Sequence, residues 1–400
     1  MVSETLKRGG IPSFAMNKDT LDLLLLGAAH SLNHSLFLVL PPLLGYIVAD
    51  LGTTYSAMGV VATVTFLTYG AGALIGGPLS DRLGSLTVAR VSIGLGGLMS
   101  LVFLFAGDII VFGAGMFLMA LWASFYHPTA NGLIAKVFTE NTGNAMGIHN
   151  AAGNFGQVFT PMVAFFLGVT FNWRLSFVFF GALSIVTAWT LDRIQVKEQI
   201  VPPTRQGYLE FIRTPGLWLL LLFNVIVGSL SRSVELFFPS FLSIERGYTG
   251  GIAAVANSVI LFFGGLGQLL GGRWSDRLGQ TRTLLMMTGG IVVSLALLMF
   301  LPTSMVGIVL FIVLYGVSMF GHQPTMTSLV SRLSPRNLMG LAYGVMFFSA
   351  FGVGSLSTTV TGYLADRYSL TTAFWFNVGV AVALMAVSAV IYLRIRERPG

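Results

Sequence analysis

Of the fifteen carboxylates in this 400-residue sequence, only Glu235 lies well inside a long apolar run, and Arg232 precedes it by three residues. That spacing puts both side chains on one helical face, where opposite charges can neutralise each other in a low-dielectric setting. Two readings follow. The pair is a static ion pair, or it is a switch in which a proton on Glu235 releases Arg232 to hold an anionic group or rearrange a gate. Histidine also changes charge near neutral pH, and there are five. His30 and His34 stand at i, i+4 with Asn33 beside them, His127 and His322 sit midway along later apolar runs, and His149 adjoins Asn150. Each has a structural alternative as a satisfied bond in a helix interface. Imidazoles at i, i+4 can share a metal ion, but with no cysteine anywhere and no carboxylate near His30 and His34, no metal is expected. No hydrolytic triad, nucleotide loop or dinucleotide fingerprint occurs, so neither enzyme chemistry, a cofactor nor ATP drive is expected. Ionisable groups at such depth then mark an ion or substrate path.

Composition dictates the elements that hold these residues. The chain is 54% hydrophobic and 9% charged, with mean hydropathy +0.82, whereas about a quarter of a soluble domain is charged. It reads as an all-α integral membrane protein in a lipid bilayer. A span needs roughly 20 mostly apolar residues and must be helical, because lipid cannot satisfy a free backbone amide. Twelve are predicted, at 21–48, 56–78, 86–106, 109–138, 144–168, 171–192, 215–242, 249–271, 281–302, 305–333, 338–364 and 370–393. The first is too long for the apolar core of a signal peptide. Polar segments at 1–20, 193–214 and 394–400 are read as a tail, a linker containing Pro202-Pro203, and a second tail. They bound six-helix bundles at 21–192 and 215–393. With the amino terminus inside, all 22 Lys and Arg except Arg174, Arg232, Arg246 and Arg367 fall on the cytoplasmic side, as the loop-charge rule requires. Both ends, the linker and the short loops after spans 2 and 8 are therefore expected in the cytoplasm. The net charge of +7 is a topological signal, and no nucleic acid partner is expected.

A duplication organises the chain. Gly77-Pro78-Leu79-Ser80-Asp81-Arg82-Leu83-Gly84 returns as Gly272-Arg273-Trp274-Ser275-Asp276-Arg277-Leu278-Gly279, the aspartates being 276 − 81 = 195 positions apart. Gly-x-x-x-Asp-Arg-x-Gly after a glycine-rich apolar segment resembles the loop between helices 2 and 3 of the major facilitator superfamily, and the resemblance covers nearly the whole chain. It implies two pseudo-symmetric six-helix bundles, each of inverted three-helix repeats, with a substrate site between them at mid-membrane. It also implies that helices 1, 4, 7 and 10 line the cavity while 2, 5, 8 and 11 form the seam between bundles. Gly72-x-x-x-Gly76, Gly267-x-x-x-Gly271 and Gly340-x-x-x-Gly344 are small-residue packing seams, suited there to surfaces that slide. Asp81, Arg82 and Gly84 with Asp276, Arg277 and Gly279 become a conformational latch, in which Asp81 accepts bonds from amides at a neighbouring helix start. Ser85-Leu86 stand where that family often has basic residues.

Ala29-His30-Ser31-Leu32-Asn33-His34 with Leu40-Pro41-Pro42-Leu43-Leu44, then Phe125-Tyr126-His127-Pro128, then Gly153-Asn154-Phe155-Gly156 with Pro161, resemble the fosmidomycin-resistance branch, which exports small drugs in exchange for protons. His34 stands where that branch has an acidic residue. The function expected is proton-coupled efflux of a small organic molecule by alternating access, in a monomer. The substrate would be lined by His30, Asn33, His34, His127, Asn131, Arg232, His322 and Gln323, with Glu235, His34 and His127 handling protons. The alternative is uptake or exchange of a small organic anion, favoured if Arg232 faces the cavity. A receptor that senses without translocating would be expected to carry a long added cytoplasmic domain, and none is read here.

Overall fold

The computed structural model describes residues 18–137, 142–194, 216–301, 305–334 and 339–395. The expected tails and nearly all of the expected linker lie outside them. Among the described residues every regular element is helical, and twelve helices are long and apolar enough to cross a bilayer. They are α1 (Thr20–Asp50), α2 (Tyr55–Leu83), α3 (Ser85–Phe105), α4 (Ile109–Ile134), α5 (Thr142–Thr170), α6 (Trp173–Arg193), α7 (Leu217–Glu245), α8 (Gly250–Leu278), α9 (Gln280–Phe300), α10 (Met305–Leu333), α11 (Ala342–Arg367) and α12 (Leu370–Arg394). Exposed Phe105, Phe166, Trp189, Leu269 and Leu393 form an apolar outer surface, as a lipid-facing wall must. The start of α1 and the end of α12 share one end of the bundle, here the terminal end; the opposite end is the far end.

Helix starts follow local capping chemistry. Thr54 and Thr249 accept the backbone amides of Ala57 and Ile252 at the starts of α2 and α8, satisfying orphan donors. The Asp-Arg repeats differ from expectation in one respect. Asp81 and Asp276 lie in the last helical turns of α2 and α8, and the connection to the next helix is a single residue, Gly84 or Gly279. Those glycines take φ of 87° and 92°, a region closed to most side chains.

The period of 195 persists in side-chain roles. Asp50, at the end of α1, accepts from Trp173 Nε1 and pairs with Arg174 (2.9 Å each) at the start of α6. Its counterpart 195 residues on, Glu245 at the end of α7, accepts from Leu370 N and Thr371 Oγ1 at the start of α12. Each half therefore ties its first helix to its last at the far end. Each half also has its own aromatic core, with Phe103 stacked on Phe177 (4.1 Å) in one and Phe241 on Phe374 (4.2 Å) in the other.

The glycine pairs correct one expectation. Gly72 and Gly76 face Ser124, Phe125 and Pro128 of α4, and Gly267 and Gly271 face the backbone of Val317 and Gly321 on α10. They seal α2 to α4 and α8 to α10 within each half, because the small stripe of an i, i+4 glycine pair lets a helix of its own bundle approach closely. Contacts between halves are made by Gly344, of the third predicted pair, against Leu74 at 3.3 Å, and also by Gly59 against Thr358 and Gly70 against Gly352. Neighbouring glycines therefore differ in tolerance. A Cβ at Gly271 would overlap the Gly321 carbonyl, whereas one at Gly272 meets only Pro324 Cβ at 4.0 Å. Gly271→Ala is expected to destabilise by about 1–3 kcal/mol through overpacking, while Gly272→Ala stays near wild type. Thermal unfolding of the two purified variants checks the contrast.

Candidate functional site

Two proline-broken helices shape the centre. α1 is interrupted at Val39, before Pro41-Pro42, and α4 at Ser124-Phe125, before Pro128. A proline cannot donate to the carbonyl four residues back, so a turn loosens and its carbonyls seek other donors. Ser92 Oγ takes the Trp122 carbonyl (2.7 Å) and Asn33 Nδ2 takes the Ala123 carbonyl (2.9 Å), while Tyr69 donates to Asn33 Oδ1 (2.5 Å). Asn33 is thus fully buried and bonded at both ends of its amide, tying α1, α2 and α4 together. That bond brings the α4 break against α1 and carries His127 to the histidines there.

His30, His34 and His127 form a near-equilateral triangle of rings, with centroids 5.1, 4.9 and 4.8 Å apart. His149 of α5, fully buried, stacks on His30 at 4.6 Å. The i, i+4 spacing shows half of this cluster; the arrival of His127 and His149 from other helices is a tertiary event. His322, 195 residues after His127, occupies the matching place on α10 but stands apart, its Nδ1 2.5 Å from the Met319 carbonyl and its ring 5.7 Å from Phe223.

In the other half, Arg232 and Glu235 form an ion pair at 2.7 Å, with side chains 15% and 23% exposed. Arg232 lies 15 residues from Leu217 and 13 from Glu245, hence at mid-span. Its guanidinium is held between Phe66 of α2 (5.0 Å) and Phe351 of α11 (4.7 Å), a cation–π setting that positions a charge without consuming its donors. Phe347 stacks on Phe351 at 4.3 Å and reaches His127 at 5.4 Å, and Tyr69 packs against both phenylalanines. A continuous aromatic wall thus links the imidazoles of one half to the charged pair of the other. The buried hydroxyl of Tyr315 has no hydrogen-bond partner among the described residues. Sequence reasoning missed these aromatics, because phenylalanine at a span's centre reads as lipid-facing until its neighbours are known.

The remaining predicted residues divide by position. Asn131 is exposed. Gln323, also exposed, accepts from Gln268 Nε2 (2.7 Å), which in turn accepts from Asn154 Nδ2 (2.5 Å), a bridge from α5 through α8 to α10. Of the expected latch, Arg82, Asp276 and Arg277 are exposed, and Asp276 bonds no described residue; the Asp81 side chain lies outside the described set. A bond of the expected kind, from an aspartate to amides at a helix start, is present at the far end. Asp366, closing α11, accepts from Tyr55 N (3.0 Å) and Ser56 N (2.6 Å) at the start of α2 in the other half. Just below, Thr63 bonds the Ser355 carbonyl, Thr358 and Thr359. Asp366 had a signal: Gly362-Tyr363-Leu364-Ala365-Asp366-Arg367 is a third Gly-x-x-x-Asp-Arg. The far end is therefore clamped across the halves.

The sequence profile of the Major Facilitator Superfamily matches residues 23–359. The chain belongs to that superfamily. It is accordingly a membrane-embedded secondary transporter of small organic molecules and not an enzyme. It is 26% identical over 380 residues to a Cupriavidus necator protein described as "Probable sulfoacetate transporter", covering 86% of each chain. It is 25% identical to a Salmonella typhimurium membrane sensor protein, over 85% of this chain and 84% of that one. With a D-galactonate transporter of Escherichia coli O6:H1 it shares 23%, over 89% and 91%. In structure it is similar to a bacterial homologue of the human lysosomal transporter Spinster, with TM-score 0.79 and 17% identity over 96% of this chain and 99% of that one, which shows the shared fold.

Because the chain has no cysteine, the far-end clamp can be read by single-cysteine labelling. Losing a charged acceptor that serves buried or bridging donors costs about 1.5–3 kcal/mol, roughly a 10- to 100-fold population shift. Asp366→Ala is therefore expected to raise the labelling rate of Ser240→Cys, a buried position at the far end, by about that factor. Equal rates in the two backgrounds would remove the clamp.

Proposed function

We propose that this transporter carries a small organic anion, of the carboxylate or sulfonate class, together with a proton, with Arg232 as anion contact and Glu235 as proton carrier. The 2.7 Å pair at mid-span, facing the other half, carries the reading. With Glu235 ionised, its carboxylate occupies Arg232 and the pair is neutral. With Glu235 protonated, Arg232 is an uncompensated cation in a poorly solvated site, which is costly until an anion arrives. Proton and anion therefore favour each other's binding, and such coupling is reciprocal. Cooperative binding drives symport, whereas an antiporter needs competition. The pair thus supports the uptake alternative over efflux, and the names of the sulfoacetate and galactonate relatives support the same substrate class.

In this reading the terminal end is cytoplasmic, as the Lys and Arg distribution supports, and the far-end clamp closes the outer gate. Efflux in exchange for protons is the second reading; the resemblance of α1, α4 and α5 to the fosmidomycin-resistance branch favours it.

Liposomes holding purified protein and a lumenal pH dye separate the two. External sulfoacetate, D-galactonate or a related acid is expected to acidify the lumen; alkalinisation would establish exchange. Binding without any flux would match the sensor relative. Glu235→Gln is expected to keep exchange of labelled anion across the membrane while losing accumulation driven by a pH gradient, and unaltered gradient-driven accumulation would exclude Glu235 as carrier. Arg232→Lys, which loses the planar fork suited to an oxyanion, should raise the KM for the anion at least about tenfold, the lower limit for a charged hydrogen bond.

A further inference from the structure

Four imidazoles gather in the amino-terminal half, His30 and His149 buried and His34 and His127 half-buried, more than an anion contact or a single proton carrier uses. We propose that His30, His34 and His127 form a three-imidazole site for a divalent transition-metal ion, zinc above all, whose open fourth position faces the gap between the two halves. One candidate ligand atom from each of the three lies within 4.8 Å of the others. A tetrahedral zinc with Zn–N of about 2.0–2.1 Å sets its nitrogens about 3.3 Å apart, so modest rotation about the ring torsions completes the set.

The scaffold that would hold such a site is already present. His30 and His34 rise from one face of α1, and His127 sits four residues after Ala123, whose carbonyl Asn33 grips from the same helix. Some of the cluster's nitrogens are also unsatisfied. His30 is 7% exposed and its Nδ1 has no hydrogen-bond partner among the described residues; the same holds for His127 Nε2 and for both nitrogens of fully buried His149. Leaving buried polar atoms unpaired costs about 1–3 kcal/mol each, and metal coordination is what imidazoles so placed can gain. The donor set selects the ion: three neutral nitrogens with no carboxylate and no thiolate suit zinc, nickel or copper, while magnesium and calcium require oxygen.

The fourth position follows from charge. A divalent ion held by three neutral ligands keeps both charges in an apolar surrounding, so it must recruit an anion or hydroxide. His127 meets Phe347 of the other half, which places that position on the translocation path. The metal site does not require the symport reading, because it is measured without any organic anion.

The decisive measurement uses tag-free, metal-stripped full-length protein in detergent. Titration calorimetry with zinc chloride is expected to give one saturable site per chain, with calcium and magnesium giving none. Cobalt(II) is expected to produce the visible absorption of a tetrahedral nitrogen site, which reports coordination in the wild type without any variant. His34→Ala and His127→Ala should weaken zinc by more than the about 100-fold that loss of a supporting partner costs, while His322→Ala binds as the wild type does. Zinc should raise the unfolding temperature of the wild type but not of the double variant, provided the latter is monodisperse. Absence of a one-to-one site in the wild type, a cobalt spectrum of six oxygen ligands, or equal zinc affinity in the His34→Ala, His127→Ala double variant would overturn the assignment.

Discussion

An isolated charge is not tolerated at the centre of a bilayer, and the structure is arranged around the one place where two are brought there. Arg232 and Glu235 cancel at 2.7 Å, and everything within reach restrains that cancellation without replacing it. Phe66 and Phe351 flank the guanidinium from two different halves. Aromatic faces hold a cation in place while leaving its N–H groups for an oxyanion. A third hydrogen-bonding partner would make the pair permanent; an aliphatic wall would leave it unsupported.

The duplicated halves have diverged in chemistry while keeping their geometry. Position 37, which is 232 − 195, holds a buried phenylalanine that packs against Phe66 and Tyr69, so the symmetry mate of the arginine helps build the arginine's wall. His127 and His322 are likewise mates, yet only His127 meets other imidazoles. The far-end ties of Asp50 and Glu245 have stayed equivalent. Structural roles thus follow the repeat, and the central polar groups have been parcelled out, the imidazole cluster to one half and the charged pair to the other.

Motion between the halves is limited by where their contacts lie. Within each half, glycines of α2 and α8 press against α4 and α10, which packs each bundle closely. Between halves, hydroxyls and one carboxylate make the far-end bonds, and such bonds exchange with water at small net cost. A closely packed bundle with a polar, breakable seam is what rocking around a fixed central site requires.

Fold and topology were legible in the sequence because lipid imposes a simple rule: about 20 apolar residues make a span, and the repeat at 195 declares the halves. The Arg232–Glu235 pair was legible too, since its spacing of three and its depth are both one-dimensional facts. The i, i+4 histidines were visible, but their partners were not, because His127 and His149 approach α1 only through proline kinks and the Asn33 amide, which are contacts between distant segments. The aspartate that bridges the halves was hidden for a similar reason. Three Gly-x-x-x-Asp-Arg stretches look alike in sequence, and only tertiary structure shows that Asp366 faces a helix start in the opposite half. Composition and period determine which helices exist, whereas the meeting of side chains from four or five of them depends on kink angles and packing that no single stretch encodes.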